Sequence, residues 1–204
     1  HALKILTSKT IPTLYSLEIN LSLIETVAVF FSIIYVVLAA KESIWCWAAA
    51  LISVSIYIYI CFQAQLYAET GLQVFYFIMA IYGYFSWKKN NSLLKINELA
   101  ISNHILIMIL GSLLTFILGF YLSAYTDSQL PIVDSFTTVF SVIATYMVVK
   151  KILSNWLYFI IIDAVSIYLY FSRDLHMTAL LFSIYTIIAI IGYWKWSKLI
   201  TDNE

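Results

Sequence analysis

Long apolar runs alternate along the chain with short polar breaks. About 20 consecutive apolar residues make a helix long enough to cross a bilayer. The pattern predicts seven such spans, near 23–40, 44–62, 71–87, 102–124, 134–149, 153–171 and 177–194. Lys41-Glu42 separates the first two, and Gln63 to Thr70 separates the second from the third. Lys88 to Glu98 forms the longest polar connection, and Asp127 to Asp134, with Pro131, precedes the fifth span. Lys150-Lys151 and Arg173-Asp174 mark the last two turns. Residues 1–20 carry Lys4, Lys9 and Glu18, and read as an interfacial segment rather than a span. The runs are apolar throughout instead of alternating, which argues against a membrane β-barrel.

Composition agrees. Of 204 residues, 63% are hydrophobic and 11% charged, against roughly 25% charged in an ordinary soluble domain. So few charges cannot clothe a soluble globule, and so many apolar residues are incompatible with disorder. Lys plus Arg equals Asp plus Glu at 11 each, which leaves no basic excess for nucleic acid. Cys46 and Cys61 lie 15 residues apart, or about 22 Å on a helix, beyond disulfide reach. Neither has a histidine or carboxylate at ligand spacing, and His1, His104 and His176 form no cluster, so no metal or other cofactor is expected. No basic stretch, apolar core and small-residue site follow in series, so no cleaved signal peptide is expected.

Basic residues set the orientation. With seven spans, Lys4, Lys9 and Arg173 fall on one side. Lys41, Lys88, Lys89, Lys95, Lys150, Lys151, Lys195 and Lys198 fall on the other. Eight against three places the N-terminus outside and the C-terminus in the cytoplasm.

The chain also resembles itself. Shifted by 109 residues, 25–87 lies over 134–196 without a gap, with 18 identities in 63 positions. Trp47 meets Trp156, Tyr76 meets Tyr185, Gly83-Tyr84 meets Gly192-Tyr193, and Trp87 meets Trp196. Apolar bias alone does not align two tryptophans and a glycine in one register. The fold class that follows is an all-α integral membrane protein of seven transmembrane helices. Two parallel three-helix repeats, 21–89 and 126–198, are joined by a linker helix within 90–125, and 199–204 form a cytoplasmic tail. Repeats of this kind bind a substrate near the midplane and open to each side in turn.

Ionisable residues within spans are costly and usually functional. Asp163 is the clearest. Trp156, Phe159 and Asp163 stand at i, i+3 and i+7, on one helix face. Two rings and a carboxylate on one stripe suit a flat organic cation, held by stacking, cation–π attraction and countercharge. The alternative is an acid that is protonated or bonded to a tyrosine. Gln73 and Tyr76, one turn apart, could hydrogen-bond a ligand's hydroxyls; Tyr185, the repeat mate of Tyr76, could serve either site or scaffold. Glu25 and Asp134 begin the first and fifth spans, where each either offsets a helix dipole or forms part of an outer gate. Trp87, Trp194 and Trp196 adjoin lysines at span ends and read as interfacial anchors. No nucleophile with a base and no glycine-rich phosphate loop is present.

Several segments resemble the PnuC-type vitamin transporters: Phe62-Gln63-Ala64-Gln65-Leu66-Tyr67, Leu72-Gln73-Val74-Phe75 leading into Ile81-Tyr82-Gly83, and Asn155-Trp156. The likeness runs through most of the chain. It implies seven helices in a full-length SWEET-like arrangement, assembled as a homotrimer in the bacterial inner membrane. The implied activity is facilitated diffusion of nicotinamide riboside, trapped inside by phosphorylation; relatives carry thiamine. In the family's sixth span the motif is Trp-x-x-Trp-x-x-x-Asn or Asp. Trp156 fills its first position, Phe159 replaces the second tryptophan, and Asp163 fills the last. The candidate substrate site is thus Trp156, Phe159 and Asp163, which the motif supports, together with Gln73, Tyr76, Tyr185 and Asp134 from the polar residues of the other spans. The partners are a cationic vitamin precursor and the lipid bilayer. The competing classes are a thiamine carrier, a non-transporting scaffold, an intramembrane enzyme acting on lipid, and a proton-coupled pump. True SWEET sugar transporters resemble the chain less, because Pro12 and Pro131 both lie outside the spans.

Overall fold

A computed structural model describes residues 23–64, 66–89, 95–126 and 128–201. The interfacial segment expected at 1–20 and the last residues of the tail lie outside these. Seven helices are present among the described residues: α1 (Leu23–Ala40), α2 (Trp45–Gln63), α3 (Tyr67–Lys89), α4 (Ile101–Tyr125), α5 (Pro131–Val149), α6 (Asn155–Phe171) and α7 (His176–Thr201). Five of them, α1, α2, α4, α5 and α7, are long and apolar enough to cross a membrane. α6 has only 17 residues, and α3 carries Glu69 in its first turn and lysine at its end.

Each expected span coincides with a helix, and the shifts at the ends have local causes. α3 starts four residues before the apolar run, because Glu69 is favoured beside a helix N-terminus and Thr70 Oγ1 donates to Leu66 O. α5 starts at Pro131, whose missing N–H costs nothing in the first turn. α7 continues past 194 to Thr201, because Trp196 is buried and holds the helix against its neighbours.

The turns α1–α2 and α5–α6 are built alike, 109 residues apart. Ser43 N donates to Leu38 O at 3.0 Å, and Ile152 N donates to Met147 O at 2.9 Å, each closing a helix end with a left-handed residue. Those residues are Glu42 (φ 53°) and Lys151 (φ 51°). A side chain there costs about 1 kcal/mol against glycine. The cost is offset because the two side chains meet: Lys151 Nζ lies 2.8 Å from Glu42 Oε2 and 4.8 Å over the Trp87 ring.

At the same end lie four buried tryptophans. Trp47 crosses Trp87 at 5.3 Å and 84°, and Trp156 crosses Trp196 at 5.4 Å and 89°. Trp87 Nε1 donates to Val149 O at the end of α5, and Trp196 Nε1 donates to Ala39 O at the end of α1. Trp87 and Trp196 are therefore not interfacial anchors, as their lysine neighbours suggested. They are 2% and 0% exposed, and of the three expected anchors only Trp194, at 69%, faces outward. A Cβ on Gly83 would meet Trp47 atoms, and one on Gly192 would meet Trp156 atoms 2.8 Å away.

α4 packs on α5 through Gly111, Thr115 and Gly119, all buried, against Phe140 and Ile132. Small residues at this spacing let membrane helices approach closely. Its opposite face, including Phe116 and Phe120, is exposed and apolar, as expected of a surface facing lipid. Before α4, Asn97 bridges the α5–α6 turn, accepting from Leu153 N and donating to Lys151 O.

We predict that Gly83→Ala and Gly192→Ala each destabilise the protein by about 1–3 kcal/mol, because a methyl group must displace a packed indole. Thermal unfolding in detergent tests this; an unchanged melting temperature for both variants would contradict the packing described.

Candidate functional site

A cavity of about 840 Å³ runs along the bundle axis. α1, α2, α3, α5, α6 and α7 supply its lining, and none of the described lining residues comes from α4. Its narrow end is the tryptophan layer, where Trp47, Trp156, Ala39 and Val148 form the floor. At 1.5 Å of rise per residue, Asp163 stands about 10 Å above Trp156, and Tyr170 about 10 Å higher again. Glu25, Tyr57, Met177 and Thr178 line the wide end.

Six of the seven sequence-predicted site residues line this cavity: Trp156, Phe159, Asp163, Gln73, Tyr76 and Tyr185. The stripe on α6 thus faces inward. α6 presents it because Asn155 and Trp156 are buried in the α5–α6 corner and fix the helix's rotation. Asp163 is 4% exposed, and no hydrogen-bond or ion-pair partner for it is present among the described residues. A buried charge without a partner is strongly disfavoured, so a cationic guest is its natural complement. Tyr185 shares a hydrogen bond with Ser32, and Tyr76 interacts with Ser141 beside it on the lining. These two pairs are again 109 residues apart and exchanged between the halves. Both tyrosines therefore shape the wall as well as facing the cavity. Gln73 has no such partner among the described residues.

The seventh residue, Asp134, is not among the lining. Its carboxylate accepts from Arg173 Nη2 at 2.7 Å and from Ser128 Oγ at 2.5 Å. Arg173 closes α6, so the ion pair fastens the start of α5 to the α6–α7 turn. The reason for the difference from expectation is this cation, 39 residues away in sequence. Sequence reasoning also missed several lining residues. Trp47, Ser32 and Ser141 carried a signal, since their repeat mates are identical. Tyr57, Tyr170 and Phe182 carried none; Tyr170 and Phe182 stack at 5.2 Å and 16° on the wall above Asp163.

The lining contains two charged groups among the described residues, Glu25 and Asp163, both acidic. Aromatic rings and single hydroxyl or amide groups make up most of the remainder. No group of three metal-ligating side chains occurs among the described residues. Such a site can bind a flat, hydroxylated organic cation by stacking, hydrogen bonds and charge.

Helices around one axial, acidic, aromatic cavity, with an apolar outer face, define a polytopic membrane protein with a small-molecule site. A family model described as "Nicotinamide mononucleotide transporter" matches residues 22–198. The chain is 28% identical over 205 residues to the nicotinamide riboside transporter PnuC of Escherichia coli (strain K12), covering 87% of this chain and 86% of that one. It is 25% identical over 198 residues to the protein of the same name from Neisseria mucosa, covering 90% and 75%. A crystal structure of the vitamin B3 transporter PnuC superposes with a TM-score of 0.71 at 24% identity, covering 90% of this chain and 84% of that one. That likeness carries the fold. The chain belongs to the PnuC-type transporter family; it is a transporter and not an enzyme.

We predict that Asp134→Asn lowers stability by about 0.2–1 kcal/mol, since its ion pair is partly exposed, and leaves ligand affinity at the parent's level. Thermal unfolding and ligand titration on the same sample check both halves. A loss of affinity without a loss of stability would return Asp134 to the binding site.

Proposed function

We propose that the protein carries nicotinamide riboside across the bacterial inner membrane by facilitated diffusion, with intracellular phosphorylation trapping the product. The observation that carries this reading is Asp163, buried without a partner and sharing the cavity with Trp156 and Phe159. The pyridinium ring of the riboside is planar and cationic. It would stack on the aromatic rings while its charge answers the carboxylate. Gln73 and Tyr76 are placed to meet its ribose hydroxyls. The family description names the mononucleotide, but a phosphate would add negative charge to a cavity that holds two carboxylates and, among its described lining, no basic group. The riboside is the better fit.

The proposed mechanism is alternating access by two three-helix repeats, α1–α3 and α5–α7, with α4 as linker, in a full-length SWEET-like arrangement. The exchanged contacts at 109-residue spacing support it: Trp87 with α5 and Trp196 with α1, Tyr76 with Ser141 and Tyr185 with Ser32. In this reading all seven helices cross the bilayer. The lysine-rich end faces the cytoplasm, the N-terminus lies outside, and the tryptophan layer closes the inner side. The lining of the cavity comes from one chain, which supports one pathway per protomer in the homotrimer that the family resemblance implies.

Thiamine is the second reading. It too is a planar, hydroxylated cation. Asp163 favours it to the extent that a full carboxylate stands where the family motif also admits an amide, and Phe159 lacks the indole of the second motif tryptophan.

Isothermal titration of the purified protein against both compounds tests the reading. Nicotinamide riboside is expected to bind more tightly, and Asp163→Ala to weaken it by about 30-fold or more, equivalent to roughly 2 kcal/mol. Uptake of the riboside into proteoliposomes is expected to be saturable and independent of ion gradients. Undiminished binding by Asp163→Ala would remove the carboxylate from the site. Tighter binding of thiamine would exchange the two substrates.

A further inference from the structure

The two acidic residues that begin α1 and α5 occupy matching positions of the internal repeat, yet the structure treats them differently. Asp134 is spent: Arg173 and Ser128 hold its carboxylate. The repeat mate of Arg173 is Ala64, which has no cation to offer. Glu25 accordingly has no ion-pair partner among the described residues, is exposed, and lines the wide end of the cavity. Fourteen residues of α1 separate it from Ala39 on the floor, about 21 Å of rise, whereas Asp163 lies about halfway up. The outer wall above Asp163 includes three aromatic rings, Tyr57, Tyr170 and Phe182.

We propose that Glu25 is the capture residue of the cavity mouth, a carboxylate that draws the cationic substrate in and hands it along the tyrosine wall to Asp163. The inference rests on the cation-carrier reading and adds a residue and a step to it. A negative charge on the lining at the rim of a low-dielectric cleft focuses the field and raises the rate at which a cation arrives; Glu69, at the start of α3, adds to the field at that end without lining the cavity. Asp134 cannot share this work, because its field is cancelled by the guanidinium beside it. The repeat thus supplies one steering carboxylate and one structural carboxylate from the same position. Cation–π contacts along the wall keep the positive charge solvated by ring faces as water is left behind.

Steering is a rate effect, and it is screened by salt over a Debye length of about 10 Å at 0.1 M. The test is stopped-flow fluorescence on the purified protein in detergent with two probes. One is nicotinamide riboside; the other is its reduced dihydropyridine form, which has nearly the same shape and no charge. Glu25→Gln is expected to slow association of the cation about three- to tenfold at low ionic strength, and to flatten its salt dependence. Association of the neutral form is expected to stay at the wild-type rate. Glu25→Asp, which restores the charge, is expected to return the cation's rate to within about twofold of wild type. Equal slowing of both probes would show a structural role and overturn the proposal. So would an unchanged rate for the cation at low salt. If the wild type binds the riboside and Asp163→Ala does not, while Glu25→Gln behaves as wild type, only the capture step fails. If the wild type binds neither probe, the capture step falls together with the cation-carrier reading.

Discussion

The structure depends on a crossing of four tryptophans at one end of the bundle. Trp47, Trp87, Trp156 and Trp196 are all 2% exposed or less, and two of their indole N–H groups reach across to carbonyls at the ends of α5 and α1. Val149 O is left without a turn donor where α5 stops, and Ala39 O takes the indole beside a turn bond from Glu42 N. Each half of the chain therefore satisfies the other half's helix end. The ion pair between Glu42 and Lys151 seals the same junction, using the two left-handed residues that stop α1 and α5. Without this knot nothing would define the floor of the cavity or the rotation of α6. The orientation of Asp163 follows from that rotation, and with it the chemistry of the site.

Bilayer physics explains why the binding chemistry is so sparse. Inside a lipid-embedded bundle every unpaired polar group carries a cost of order kilocalories. The wall accordingly sets tyrosine against serine, Tyr185 hydrogen-bonded to Ser32 and Tyr76 beside Ser141. What remains unsatisfied stands out against that background. Asp163 and Gln73 keep free polar groups along the cavity, and the indole N–H groups of Trp47 and Trp156 on its floor are unpaired as well.

Much of this was legible in the sequence, and for definite reasons. The helices were, because a lipid solvent demands uninterrupted apolar runs. The stripe of Trp156, Phe159 and Asp163 was, because an intramembrane carboxylate in register with rings has few other readings. The fates of Trp87 and Trp196 were not. A tryptophan next to lysine at a span end has the same local pattern whether it faces headgroups or a helix junction. Only long-range contacts, such as Trp196 with Ala39, 157 residues apart, separate the two. Their identity across the repeat was the available clue, since lipid anchoring places no demand on register. Asp134 was misplaced for the same reason: its partner lies at the far end of the next helix. Glu25 was visible as a residue, but its freedom shows only when the contacts of its mate are known.

Comparing the two halves position by position separates scaffold from function. Among the pairs that stay identical are Trp47 and Trp156, Gly83 and Gly192, Trp87 and Trp196, Ser32 and Ser141, Tyr76 and Tyr185. Trp47 with Gly83 and Trp156 with Gly192 pack alike within each half, while Trp87, Trp196 and the serine and tyrosine pairs reach across to the other half. Among the pairs that differ are Val54 and Asp163, Gln73 and Phe182, Ala64 and Arg173. Four of these six line the cavity, Val54, Asp163, Gln73 and Phe182, and Arg173 decides which mouth carboxylate is free. A symmetric cavity would offer a guest two equivalent poses, each with the same charge. Divergence at these few positions gives the cavity one deep carboxylate and one outer carboxylate on the side of α1. On the proposed reading, that asymmetry would give a flat cation a single way to lie, within a frame that symmetry built.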